Sequence, residues 1–191
     1  ETYWGKGVSN CATCDGSLYK NKVVGVVGGG DAAVLEALYL CNIAKEVHIF
    51  VRKASLRAIE EKRAGVLRQK PNVKFHFHTT VEEVKGDGQN VTGVMMKSGA
   101  KQTSFPLDGL FLAIGSTPNS SMFKNVLKLD ERGYILLKKD QETFVDGVYA
   151  IGDIVDPVYK QAVTAAGDGA RAALQAQQYV SGRALTHEVI E

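Results

Sequence analysis

The sequence predicts an α/β fold with a parallel sheet at its centre, and three features predict it. A short β-branched apolar run at residues 22–27 (KVVGVV) leads directly into Gly28, Gly29 and Gly30. Residues 31–43 (DAAVLEALYLCNI) then carry apolar side chains at helical spacing. A second apolar run follows at 46–51 (EVHIFV). Strand, glycine turn, helix and strand within about thirty residues is a βαβ unit, with parallel strands and a right-handed crossover.

Further along, a helix is expected over 56–69, stopped by Pro71, which cannot extend it. Residues 73–78 read as another strand. Runs at 81–85 and 91–97 flank the loop 86–90 (GDGQN), and 102–107 adds a third segment to an antiparallel meander. Residues 109–114 (GLFLAI) are almost wholly apolar, which suits a strand buried on both faces in the parallel sheet. A domain boundary is placed after Gly115, giving domains 1–115 and 116–191. The second holds a hairpin-like segment at 134–138, an apolar run at 147–151 and a long helix at 161–180. It has few strands of its own and reads as a completing piece for a second sheet.

Composition narrows the function. With 23 basic and 21 acidic residues among 191, the net charge of +2 offers no general attraction to nucleic acid or anionic lipid. No apolar run is long enough to cross a bilayer, and the first residues lack a signal-peptide core. The chain therefore reads as soluble and cytoplasmic, with neither membrane nor nucleic acid as a partner. It opens on Glu1 rather than Met, so an upstream segment is expected to have been lost.

Three cysteines make a poor disulfide framework. Cys41 lies in the helical stretch 34–43, where an inert buried thiol is the expected role. Cys11 and Cys14 stand in Cys11-Ala12-Thr13-Cys14-Asp15-Gly16. A closed zinc site wants four ligands, and His48, His76, His78 and His187 supply no second pair at ligand-like spacing, so no metal is expected. A Cys-x-x-Cys disulfide instead closes a very small loop that an incoming thiol or electron pair opens readily. Asp15 has two readings, a proton shuttle for a leaving thiolate or a turn residue before Gly16.

Gly28-x-Gly30-x-x-Ala33 fits the dinucleotide fingerprint in its Ala-ended form, following a strand and opening a helix as that motif requires. The candidate pyrophosphate site is Gly28, Gly29, Gly30, Asp31, Ala32 and Ala33, where helix N–H groups face the ligand. Where an NAD-selective site has a carboxylate, this chain has Val51-Arg52-Lys53 and then Arg57. Arg52, Lys53 and Arg57 suit a 2′-phosphate and so NADPH; the alternative is a solvated basic helix start.

These motifs together resemble the low-molecular-weight, flavin-dependent thioredoxin reductases. The resemblance runs through Tyr3-Trp4-Gly5-Lys6-Gly7-Val8, the Cys11 to Gly16 motif, the glycine turn, Glu36-Ala37-Leu38-Tyr39-Leu40, Arg52-Lys53 with Arg57-Ala58, and Ala113-Ile114-Gly115-Ser116-Thr117-Pro118-Asn119. It continues through Gly147-Val148-Tyr149-Ala150-Ile151-Gly152-Asp153 and Lys160-Gln161-Ala162-Val163-Thr164-Ala165-Ala166-Gly167.

The resemblance implies a Rossmann-like NADPH-binding domain that carries the dithiol, followed by the C-terminal part of an FAD-binding domain of the same type. Electrons would pass from NADPH to FAD, then to Cys11 and Cys14, then to thioredoxin, in a homodimer. Cys14 would face the flavin, Cys11 would attack thioredoxin, and Asp15 would be the acid/base. Ile114 and Gly115 would join the NADP site; Gly152, Asp153, Lys160, Gln161 and Ala162 would contact FAD. Residues 116–118 would form one of two hinges for an inter-domain rotation.

Three departures from the pattern stand out. The usual His-Arg-Arg is Val51-Arg52-Lys53, the flavin-side Arg is Lys160, and the first glycine fingerprint, upstream of the dithiol, is missing. The FAD site is thus expected to be incomplete and the chain inactive alone. Two alternatives accompany this reading: the flavoprotein subunit of an alkyl hydroperoxide reductase, and a non-catalytic NADP-binding redox sensor.

Overall fold

A computed structural model describes residues 2–57 and 60–182. Glu1, Ala58 and His187 lie outside the described residues. The chain divides into two compact units, Glu1–Gly115 and Ser116–Glu191.

In the first unit, strands β1 (Val8–Ser9), β2 (Val23–Val27), β3 (Glu46–Val51), β4 (Val73–Phe77) and β8 (Gly109–Leu112) form one sheet in the order β1-β8-β2-β3-β4, every pair parallel. Helices α1 (Ala12–Asp15), α2 (Asp31–Leu40) and α3 (Glu61–Arg68) connect them. Parallel strands are covered on both faces, which explains the unbroken apolar runs: Val24, Val26, Val47, Ile49 and Phe111 are at most 1% exposed. One face packs on α2, and the other on the antiparallel sheet of β5 (Thr79–Gly86), β6 (Val91–Ser98) and β7 (Lys101–Pro106), through Phe50, Val94 and Leu110.

Several boundaries differ from the sequence expectations, each for a local reason. Helix α2 ends at Leu40 rather than residue 43, because Asn42 and Ile43 close 3₁₀-type bonds to Tyr39 and Leu40 while the Asn42 side chain donates to the Leu38 carbonyl. Helix α3 begins at Glu61 rather than residue 56. The Arg57 N–H donates to the Gly29 carbonyl at 2.5 Å and the Glu60 N–H to Asp31 Oδ1 at 3.2 Å, so this part of the chain is tied back over the glycine turn. His78, at φ +52°, breaks β4 from β5 and so separates the two sheets.

The second unit has no strand among the described residues. The expected segments at 134–138 and 147–151 take part only in isolated bridges, Leu129 with Ile135 and Glu142 with Tyr149. Leu127, Ile135 and Ala150 form its small core. Helix α4 (Ala162–Ser181) buries only Gln175, and Val163, Leu174, Tyr179 and Val180 stand exposed.

His48 and His76 form a polar inclusion between β3 and β4. His48 Nδ1 lies 2.9 Å from His76 Nε2, and His48 Nε2 lies 3.1 Å from Glu46 Oε2, which Lys74 also reaches at 3.2 Å. One arrangement of neutral rings satisfies the chain: His76 donates to His48, and His48 donates to Glu46. Burial pushes both imidazoles below their ordinary range, partly offset at His48 by Glu46.

Unfolding exposes rings that bind protons more readily, so their share of stability is complete above the unfolded value of about 6.5 and is lost as pH falls below it. Glu36 acts in the opposite sense. Its Oε2 is buried without a partner, and burial pushes the carboxyl up to about 7. The histidine share is therefore read as a difference: between pH 7.5 and 5.5 the urea midpoint of His48→Phe should fall less than that of the wild-type chain. Equal slopes for the two proteins would remove the histidines from the account.

Candidate functional site

The dithiol begins where β1 ends. Val8 and Ser9 pair with Leu110 and Phe111, and two residues later Cys11 caps α1, its Sγ accepting the Cys14 N–H at 3.2 Å. Cys11 and Cys14 are joined in a disulfide with Cα atoms 5.3 Å apart; Cys14 is exposed and Cys11 half-buried. Thr13 Oγ1 lies 3.4 Å from Cys11 Sγ. Asp15 ends α1, and its Oδ2 accepts the Ser9 hydroxyl at 2.6 Å. Its charge also reaches Tyr19, whose phenol is raised first by burial and then by Asp15.

Cys41, by contrast, is buried, donates to the Leu38 carbonyl at 3.2 Å, and has its thiol raised chiefly by burial. Among the described residues no group of histidine, cysteine and carboxylate side chains could hold a metal ion.

The glycine turn lies at the same edge of the sheet. The strand order reverses between β2 and β8, and in open α/β sheets ligands sit outside the carboxyl ends of strands at such a point. Gly28, at φ +152°, runs so close to the end of β8 that a Cβ would lie 2.4 Å from the Ala113 carbonyl oxygen and 2.9 Å from Ala33 Cβ. A Cβ on Gly29 would meet Val51 at 2.9 Å. One on Gly30 would meet nothing within 4 Å, and Gly30 caps α2 without a side chain. Space and helix N–H groups therefore coincide there, as a pyrophosphate requires. Asp31 is partly committed, accepting the Glu60 N–H, while Ala32 is exposed and Ala33 buried.

Arg52, Lys53 and Arg57 follow the end of β3, all exposed, and none joins an ion pair among the described residues. Cations left unpaired near a helix N-terminus suit a phosphate. At the end of β8, Ile114 is 71% exposed and Gly115 takes φ +88° with open space beside it.

In the second unit, Gly152 takes φ +73° and Asp153 is exposed. Asp156, which the sequence reading missed, organises the approach to α4: its carboxylate accepts the N–H groups of Val158, Tyr159 and Lys160 at 2.8, 2.9 and 3.0 Å. Burial opposes ionisation, but these donors and Lys160 outweigh it, holding the carboxyl below its usual range. Lys160, at φ +49°, donates from Nζ to Ser116 Oγ at 2.6 Å and lies over the Tyr134 ring. Gln161 caps α4 and Ala162 opens it, leaving a helix N-terminus without a side-chain cap for a polar ligand.

Ser9 is the other residue missed from sequence. A lone serine in a two-residue strand carries no periodic signal, and its position two residues before Cys11 is the one feature that could have drawn notice.

Comparison with known proteins matches residues 1–169 to the family described as pyridine nucleotide-disulphide oxidoreductase. A thioredoxin reductase of Coxiella burnetii is 46% identical over 189 residues, covering 94% of this chain and 59% of that protein. One of Escherichia coli O157:H7 is 44% identical over 194 residues, covering 96% and 60%. The crystal structure of thioredoxin reductase from Streptococcus pyogenes MGAS5005 is similar with a TM-score of 0.89 at 33% identity, covering 95% of this chain and 60% of the other. The chain thus spans about 60% of the length of these two relatives.

Two glycines separate packing from ligand space. Gly28→Ala should cost about 1–3 kcal/mol in urea denaturation, because backbone at Ala113 must yield. Gly30→Ala should stay within about 0.5 kcal/mol of wild type, yet weaken dinucleotide binding in a calorimetric titration. Equal stability losses for both would contradict this division.

Proposed function

This chain belongs to the pyridine nucleotide-disulphide oxidoreductases, and from that premise we propose that it carries the nucleotide site and redox dithiol of an NADPH-dependent thioredoxin-disulfide reductase. One observation carries the reading: Cys11 and Cys14 are joined in a disulfide at the same sheet edge as the glycine turn. The named relatives support it.

In this reading Gly28, Gly29, Gly30, Asp31, Ala32 and Ala33 cradle the pyrophosphate of NADPH, and Ile114 and Gly115 border the same crevice. Arg52, Lys53 and Arg57 hold the 2′-phosphate, with the Arg side chains offering paired donors. Gly152, Asp153, Lys160, Gln161 and Ala162 form this chain's share of an FAD site. A bound flavin supplies the two-electron relay between a nicotinamide and a disulfide. The chain's own groups do the rest: Cys11 attacks the thioredoxin disulfide, Cys14 then closes onto Cys11, and Asp15 carries the proton that Cys14 gives up.

The reductase is placed in the cytoplasm as a homodimer, in keeping with the resemblance and a thioredoxin partner. Among the described residues no helix is long and apolar enough to cross a membrane.

The dithiol steps can be tested on this chain directly. After reduction with dithiothreitol and desalting, it should reduce oxidised thioredoxin, one disulfide per chain. The Cys14→Ser variant should be trapped as a mixed disulfide through Cys11. Trapping by Cys11→Ser instead would exchange the two roles, and no transfer to thioredoxin from the wild-type chain would sink the proposal.

The nucleotide half has its own measurement. Arg52→Ala should weaken NADPH binding about tenfold, as expected for one lost charged contact, and leave NADH binding nearly unchanged. Equal effects on both nucleotides would remove Arg52 from the 2′-phosphate site.

A further inference from the structure

We propose that Ser9 is a positioning residue that holds Asp15 beside the dithiol for proton transfer. The inference rests on reading Cys11 and Cys14 as a redox pair, and it adds a residue that neither the motif nor the resemblance contains.

Ser9 is 6% exposed, and its hydroxyl meets two parts of the dithiol segment at once. It donates to Asp15 Oδ2 at 2.6 Å and accepts the Cys11 N–H at 3.1 Å. The Cys11 carbonyl, at 3.5 Å, is a much poorer alternative for the single hydroxyl proton. A hydroxyl given to a carboxylate at that distance is a charge-assisted bond, of the stronger kind.

Position makes this bond directional. Asp15 closes a helix of only four residues, and among the described residues Ser9 is the one side chain that hydrogen-bonds it. Ser9 itself cannot drift: its backbone pairs with Phe111, which is fully buried between β1 and β2. One carboxylate oxygen is thus tied to β1, and Asp15 stands next to Cys14 in the same short helix.

The step at issue is the closing of a mixed disulfide. A Cys11 thiolate attacks a disulfide RS–SR, forming Cys11–S–SR and releasing RS⁻. Asp15 then takes the proton of the Cys14 thiol as that sulfur attacks Cys11 Sγ. The Cys11–SR bond breaks, and the second RS⁻ leaves, taking the proton from Asp15 as RSH. The dithiol gives up two electrons and the disulfide gains them.

The experiment uses the reduced 191-residue chain with bis(2-hydroxyethyl) disulfide, acid-quenched and read by mass spectrometry for mixed disulfide and closed product. Ser9→Ala and Asp15→Asn should each slow closure about tenfold or more, within what a positioned acid/base provides. The double variant should be no slower than Asp15→Asn alone, because Ser9 acts through Asp15. Ser9→Thr, which keeps the hydroxyl, should restore closure.

Independent losses that multiply in the double variant would overturn the inference, as would wild-type closure in a folded Ser9→Ala. If Ser9→Ala does not melt cooperatively, Ser9→Thr decides: closure near wild type supports the role, and a loss that persists in the Asp15→Asn background refutes it. Failure of the wild-type chain to close at all would instead count against the redox reading.

Discussion

Gly28 passes so near the end of β8 that a Cβ would sit 2.4 Å from the Ala113 carbonyl oxygen, and the candidate sites of the first unit depend on that approach. With no side chain between them, the backbones at the ends of β2 and β8 close up. Helix α2 then starts just beyond the end of β2, and Ile114 and Gly115 follow the end of β8 beside it. The register carries the constraint one strand further: Ser9 is level with Phe111, and Phe111 with Val26. Because all three strands run parallel, β1 and β2 deliver the dithiol and the glycine turn to the same edge. Their axes stand two strand spacings apart, about 10 Å.

This changes the meaning of their closeness in sequence. Cys14 and Gly28 are near one another along the chain, but between them the backbone turns through α1 and a 3₁₀ segment, Gly16–Tyr19, then runs the full length of β2. Parallel order, not chain proximity, brings the two features to one edge. A motif reading sees only the separation in residues, whereas the sheet converts it into a shared face.

Much of the first unit was legible because its signals are local. The glycine turn, β3 and the three meander strands follow from apolar periodicity and turn residues, and they lie within a residue or two of the expected positions. What was not legible depends on distant pairing. Strand β1 exists through β8, a hundred residues away, so Val8 and Ser9 show no pattern of their own. In the second unit, residues 134–138 and 147–151 have strand-like composition but only isolated bridges to pair with, and pairing, not composition, makes a strand. Asp156 was missed for a related reason: a carboxylate that satisfies three backbone N–H groups in a loop leaves no periodic trace.

The displaced start of α3 is the most instructive of these differences. Local propensity favours a helix from residue 56, but the chain there is bound to the glycine turn, at Gly29 through the Arg57 N–H and at Asp31 through the Glu60 N–H. A helix begun at residue 56 would take up the Glu60 N–H in its own ladder and turn the Arg57 N–H, one of its free first-turn donors, away from Gly29. Arg52, Lys53 and Arg57 are exposed in the stretch between the end of β3 and these ties, and α2 starts without a side-chain cap. Local preference yields where an arrangement of charges is held in place, and such conflicts between levels are expected at sites a fold builds for a ligand. The displaced helix boundary thus follows from the hydrogen bonds that tie Arg57 and Glu60 to the glycine turn and the start of α2.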